Sequence, residues 1–145
     1  DHNTIPKIND KEKKLVIKYI NCLNKERASE YRTWIDVGWC LYNIHNKDNS
    51  LLDEWIKFSK KDERYMNTCE EDCRERWENM EIDKLGIGSL KHWAKADNPV
   101  EYEKVVTDDI WNAVMQACKN GKGSSYDVAK VLYIMYFSFC RIKIS

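Results

Sequence analysis

The stretch Tyr31-Arg-Thr-Trp34-Ile-Asp-Val-Gly38-Trp39-Cys-Leu41-Tyr42-Asn-Ile44 decides the fold class of this chain. Trp34, Val37, Leu41 and Ile44 recur at steps of three and four, the period of an α-helix. Trp39 and Tyr42 lie on another side, with Ile35 and Cys40 filling the angles between. A helix apolar over most of its circumference belongs at the centre of a domain. The pattern predicts a buried central helix over residues 30–45, with Ser29 as its cap. Gly38 in its middle costs about 1 kcal/mol relative to Ala. The expected compensation is close approach of a neighbouring helix, or of a Trp ring, to bare backbone. If the Trp34 ring is fully buried, Trp34→Ala should cost about 3–5 kcal/mol.

Similar punctuation extends outward in both directions. Residues 1–9 are polar, contain Pro6 and read as a linker. Asn9 or Asp10 can cap a first helix striped by Leu15, Val16, Tyr19, Ile20 and Leu23. Downstream, residues 46–50 form a polar turn before a short helix carrying Leu51, Leu52, Trp55, Ile56 and Phe58. Thr68-x-x-Glu71 is a capping box. The helix it opens puts Cys69, Cys73, Trp77 and Met80 on one face and leaves its many charges to water. Gly86-Ile-Gly88 reads as a turn, and Ser89 as the cap of a helix bearing Leu90, Trp93 and Ala94. Asn98-Pro99 is a helix start, with Pro99 at the first helical position.

Beyond it, Val105, Ile110, Trp111, Val114 and Cys118 mark another amphipathic segment, broken at residues 120–123. A last helix follows from Ser124 or Ser125, with Val128, Ala129, Leu132, Met135 and Tyr136 on its stripe. The tail, residues 137–144, alternates apolar and polar side chains as a strand does. A lone terminal strand is a poor unit, and with a start at Asp1 it suggests a piece of a longer protein. The fold expected is all-α: a compact bundle of six or seven helices around the central one, ending in a short strand truncated from the next domain. Residues 10–97 form the helical domain and residues 98–145 begin the next region. The expected structural core is Trp34, Gly38, Leu41, Trp55, Trp77 and Trp93.

Composition narrows the function classes. At 145 residues the chain is one domain, or one domain with part of another. Hydrophobic content of 43% and charged content of 33% describe a globular chain. With 24 basic and 24 acidic side chains the formal charge is zero, which argues against a protein that coats DNA. There is no apolar run of membrane-spanning length and no signal-peptide pattern. The six cysteines form no CxxC pair. Cys22, Cys40, Cys118 and Cys140 sit in apolar helical patterns, where Cys acts as a small hydrophobe. Cys69 and Cys73, with His45 or His92, could share a metal, but the spacing fits no standard zinc module. The expectation is reduced thiols and no metal.

Four aromatic motifs in order span residues 31–95: the helix around Trp34 and Trp39, Leu52-Asp-Glu-Trp55-Ile-Lys-Phe58, Cys73-Arg-Glu-Arg-Trp77-Glu-Asn-Met80, and Gly86-Ile-Gly88-Ser89-Leu90-Lys-His-Trp93-Ala94-Lys95. This order resembles the helical primase C-terminal domain of the primase–superfamily 3 helicase proteins of large DNA viruses, of poxvirus, mimivirus or asfarvirus type. Tyr126-Asp127-Val128-Ala129-Lys130-Val131-Leu132-Tyr133 resembles the region that precedes the helicase core in the same proteins. The resemblance implies a connector between a primase module and a helicase module, inside an infected host cell at the viral replication site. Its partners would be those flanking modules and single-stranded or primer–template DNA, in a parent that is a homo-hexamer. ATP and Mg are then expected only in the flanking modules.

The residues themselves carry no catalytic constellation. There is no GxxxxGK[ST] phosphate loop. The acidic pair Asp108-Asp109 reads as helix N-terminal charge rather than a metal-binding cluster. The fragment is therefore expected not to be an enzyme. If the third helix continues past Ser59, Lys57, Lys60, Lys61 and Arg64 make a basic stripe, and Lys91 and Lys95 make a shorter one beside Trp93. These are the candidate nucleic-acid contacts; ordinary solvated faces are the alternative, with Asp62 and Glu63 diluting the first stripe. The competing function is a protein-interaction or oligomerisation module with no DNA binding of its own.

Overall fold

The computed structural model describes residues 6–120 together with Leu132 and Ile134. The chain divides into two compact units, Asp1–Asn98 and Pro99–Ser145. Six α-helices and two 3-10 turns make up the described secondary structure: α1 (Asp10–Asn21), α2 (Tyr31–Ile44), α3 (Ser50–Ser59), α4 (Cys69–Glu78), α5 (Ile87–Asp97) and α6 (Pro99–Asn120), with the turns at Lys25–Ala28 and Glu63–Tyr65. No strand occurs among the described residues, which are all-α as the periodicity required. The expected C-terminal strand lies outside the described residues, as do the expected last helix and the segment from Tyr126 to Tyr133 apart from Leu132, which is helical like Ile134.

In the first unit α2 packs against α3, α4 and α5, and α1 closes on α3 and α5. Val37, Gly38, Cys40 and Leu41 are the buried face of α2, while Tyr31 and Arg32 at its start are exposed. The most enclosed helix is α3, in which Leu51, Leu52, Glu54, Trp55, Ile56, Phe58 and Ser59 are all buried. Trp55 is completely buried, and its indole ring lies on Gly38. That is the close approach for which the mid-helix glycine was needed. Gly38, Leu41, Trp55 and Trp77 are buried, whereas Trp34 and Trp93 are only half-buried. The condition of a fully enclosed ring is met by Trp55 and not by Trp34. Helical period assigns a face, but only the neighbours decide how far along that face cover extends.

The helix ends depart from the sequence reading in several places. Asn9 caps α1, its Oδ1 accepting the Lys11 N–H at 2.8 Å. Ser29, however, closes the first 3-10 turn, and Glu30 occupies the α2 cap position without a side-chain bond. The connection there is too tight to leave Ser29 beside the first helical amides. Thr68 stands at the α4 cap position, but its hydroxyl turns back to the Tyr65 carbonyl at 3.5 Å. Glu71 therefore has no reciprocal box to complete. Gly88 and Ser89 fall inside α5, which starts one turn earlier than expected, with Gly86 as cap and Ser89 Oγ accepting the Gly86 N–H at 3.5 Å.

The second unit is described only through α6 and the two isolated residues. It runs unbroken through 22 residues, with Pro99 first and with Val105 and Val114 buried. Asp108 and Asp109 consequently lie in mid-helix and cannot serve an N-terminus. A Pro at the first position starts the helix there, and nothing between it and Asp108 interrupts the hydrogen-bond ladder.

Candidate nucleic-acid interface

The proposed basic stripe depended on α3 continuing, and α3 stops at Ser59. Ser59 Oγ bonds to the Trp55 carbonyl at 2.7 Å, a back-bond that competes with the helical ladder. Lys60 closes the helix with its N–H on the Ile56 carbonyl, and Asp62 then caps the second 3-10 turn through the Arg64 N–H at 2.9 Å. The four cations therefore do not share one helical face. Lys57 is exposed on α3, 3.2 Å from Glu54. Lys60 is exposed at the helix end. Lys61 lies 5.4 Å over the Phe58 ring, and partial burial lowers its pKa.

Arg64 is engaged locally. Its Nη2 sits 2.7 Å from Asp62 Oδ2, and its guanidinium covers the Tyr65 ring at 5.2 Å. Hydrogen bonds from Arg64 hold the Asp62 carboxyl down to about 2. That arginine fixes the loop after α3, so it is a poorer phosphate ligand than its position in the sequence suggested. On α5, Lys91 lies 5.8 Å over the Tyr19 ring, and Lys95 is exposed in the last turn. The tip of α5 is tied to the first 3-10 turn by Arg27 and Asp97: Arg27 Nη2 donates to Asp97 Oδ1 at 2.9 Å, and the Asn24 N–H donates to Oδ2 at 2.9 Å. Burial opposes ionisation of Asp97, but those donors win and hold its carboxyl below the usual range. Arg27 also covers the Trp93 ring at 5.5 Å.

The aromatic side chains form one connected group. Trp34 stacks on Trp55 at 4.9 Å, Trp55 meets Trp77 at 6.3 Å, and Tyr42 meets Trp77 edge-on at 5.2 Å. Both indole N–H groups in the first pair are satisfied: Trp34 Nε1 donates to Ser59 Oγ at 2.7 Å, and Trp55 Nε1 to the Trp34 carbonyl at 3.2 Å. Outside this pair lies a feature the sequence reading missed. Arg76 of α4 covers both Tyr31, at 5.0 Å, and Trp34, at 5.7 Å. Tyr31 and Arg76 are 45 residues apart, and no local pattern links them.

The cysteines serve packing. Cys73 Sγ lies 3.3 Å from Ser59 Oγ, and Cys40 Sγ donates to the Gly86 carbonyl at 2.9 Å. Burial pushes both thiols up to about 12, and it raises Cys69 as well. Among the described residues no three His, Cys, Asp or Glu side chains converge as metal ligands would. His45 ends α2 with its Nε2 3.6 Å from Asp48, and His92 is exposed. No helix among the described residues is long and apolar enough to cross a membrane.

The first unit is thus an all-helical domain with a tryptophan-rich centre and scattered cations on its surface. The family model "Primase C terminal 2 (PriCT-2)" matches residues 16–94, and the chain belongs to that family. A protein of Acanthamoeba polyphaga mimivirus, named as a candidate helicase, is 32% identical over 122 residues, covering 81% of this chain and 12% of that protein. One from invertebrate iridescent virus 3, also named as a candidate helicase, is 34% identical over 85 residues, covering 54% and 9%. A protein of African swine fever virus, named as a candidate primase, is 28% identical over 142 residues, covering 93% and 14%. The chain thus spans only about an eighth of the length of these relatives.

Proposed function

We propose that this chain is a non-catalytic helical connector of a viral DNA primase–helicase, holding the primase module relative to the helicase module and engaging single-stranded template. What supports this is where the family match falls. Residues 16–94 lie wholly within the compact first unit, and relatives named for priming and unwinding are several times longer than this chain. In this reading ATP and divalent-metal chemistry belong to the flanking modules, and the connector takes no cofactor of its own. The parent assembles as a homo-hexamer at the site of viral replication in the infected cell.

Template contact is tested by fluorescence anisotropy of labelled single-stranded DNA titrated with the chain at several salt concentrations. Each phosphate neutralised should contribute about −0.7 to the slope of log K against log salt. Changing Lys57, Lys60 and Lys61 to Ala, and separately Lys91 and Lys95, should flatten that slope in proportion to the contacts each group makes. Absence of binding at low salt would sink template engagement and favour a module whose partners are protein.

A further inference from the structure

Between the start of α2, the second 3-10 turn and α4 lies a pocket of about 190 Å³. That is well below the roughly 300–1,000 Å³ of sites that enclose a drug-sized ligand, and it suits a single planar ring. Its walls are the rings of Tyr31, Trp34 and Tyr65, with Asp72 and Arg76 from α4. Ser59 lies on its floor with its hydroxyl already committed to the Trp55 carbonyl and the Trp34 indole. Tyr31 is 59% exposed and Tyr65 45% exposed, each with an arginine over its ring, so both side chains stay at the surface instead of in the core.

Arg76 sets this pocket apart from the other cationic sites. Its guanidinium is oriented by the two rings it covers and by a 3.0 Å hydrogen bond from Nη1 to the Tyr31 hydroxyl. Among the described residues neither it nor Arg32 makes an ion pair, in contrast to Arg27, Arg64 and Arg74, and of the two only Arg76 is held over aromatic rings. An oriented guanidinium with donors to spare is the usual partner of a phosphate oxygen. Asp72, one helical turn earlier, places a carboxylate at the same pocket. A carboxylate there disfavours a phosphate beside it and is an acceptor for the N–H groups of a base. Aromatic walls, a solvent-exposed carboxylate acceptor and a guanidinium favour a base in the pocket with its phosphate outside.

We infer that the pocket between Tyr31, Trp34, Tyr65 and Arg76 takes one unpaired nucleobase of a single strand, with Arg76 on the adjoining phosphate. The inference rests on the template-engaging reading above and supplies the site for it. Stacking on rings of this kind tolerates any base, since every base has a π-face. Duplex DNA, with its bases stacked inside, has nothing to insert.

The test is a titration of labelled single-stranded DNA of mixed sequence, of the same backbone carrying abasic sites, and of a duplex. The proteins are the parent chain and its Tyr31→Ala, Tyr65→Ala, Tyr65→Trp and Arg76→Ala variants, each checked for an unchanged helical circular dichroism spectrum. Tyr65→Ala should weaken binding of the intact strand on the order of tenfold, and Tyr65→Trp should restore it. Abasic DNA should bind the parent weakly and be indifferent to either Tyr65 variant. Parent binding that is salt-sensitive but equal for intact and abasic strands, and unaltered in Tyr65→Ala, overturns the pocket and leaves template engagement standing. A parent that binds none of the DNAs overturns both.

Discussion

Adding one methyl group at Gly38 tests the centre of this fold. A Cβ built there lies 2.4 Å from Trp55 Cζ2, 2.5 Å from Cε2 and 2.7 Å from Cη2. Carbon atoms rest about 3.5–4.0 Å apart, so the ring would have to retreat by roughly 1 Å. It has little freedom to do so. Trp55 is fully buried, stacked on Trp34, and hydrogen-bonded through Nε1 to the carbonyl four residues before Gly38. Overpacking of this kind costs about 1–3 kcal/mol, and losing the buried indole hydrogen bond adds about 1–3 kcal/mol. Alanine returns about 1 kcal/mol of helix propensity. Gly38→Ala should therefore destabilise the domain by about 1–5 kcal/mol.

Urea denaturation followed by tryptophan fluorescence measures this directly, with far-ultraviolet circular dichroism as the second probe. Gly88→Ala is the control. That residue also lies in a helix, but a Cβ there meets nothing within 4 Å. It should stabilise by up to about 1 kcal/mol. In a Trp55→Leu background the added methyl no longer meets the ring, and Gly38→Ala should become neutral or favourable. If Gly38→Ala is as stable as the parent in the wild-type background, the indole does not seal against bare backbone and the account of the core is wrong.

Two further expectations concern titratable groups. Asp97 has a folded pKa below its unfolded value of about 3.9. Its contribution is thus fully present above about pH 4 and fades as the pH falls through the folded value. Asp97→Asn should lower stability at pH 7 by about 2 kcal/mol and make the acid limb of the stability curve shallower. An equally steep acid limb would show that this carboxylate is not what acid titrates. Cys40 and Cys73, with thiols pushed up to about 12, should resist iodoacetamide at pH 8 in the native state and react in denaturant. Rapid native labelling of either, located by peptide mass spectrometry, would contradict their burial.

Much of the candidate site was not legible beforehand, and the reason differs between its parts. The basic stripe failed because a helix boundary moved. Ser59 back-bonds to the last turn of α3 and Asp62 caps the turn that follows, side-chain bonds that periodicity does not register. Asp108 and Asp109 misled because an acidic pair looks like first-turn charge wherever it falls. Arg76 went unnoticed because its importance lies in Tyr31 and Trp34, which are far away in sequence. An arginine beside Trp77 on a highly charged helix gives no sign of which rings it will cover.

The sequence alone determined that the described segments are helical, and which face of each helix in the first unit turns inward. Those follow from the 3.6-residue repeat, which is a property of local backbone geometry. It also determined that Gly38 needs a close neighbour, because a mid-helix glycine is unfavourable without one. Which indole occupies that space, how far Trp34 stays open, and which arginine covers Tyr31 and Trp34 were decided by tertiary structure. They depend on pairings between residues distant in the chain, and the repeat of one helix carries no information about the side chains that another will bring to it.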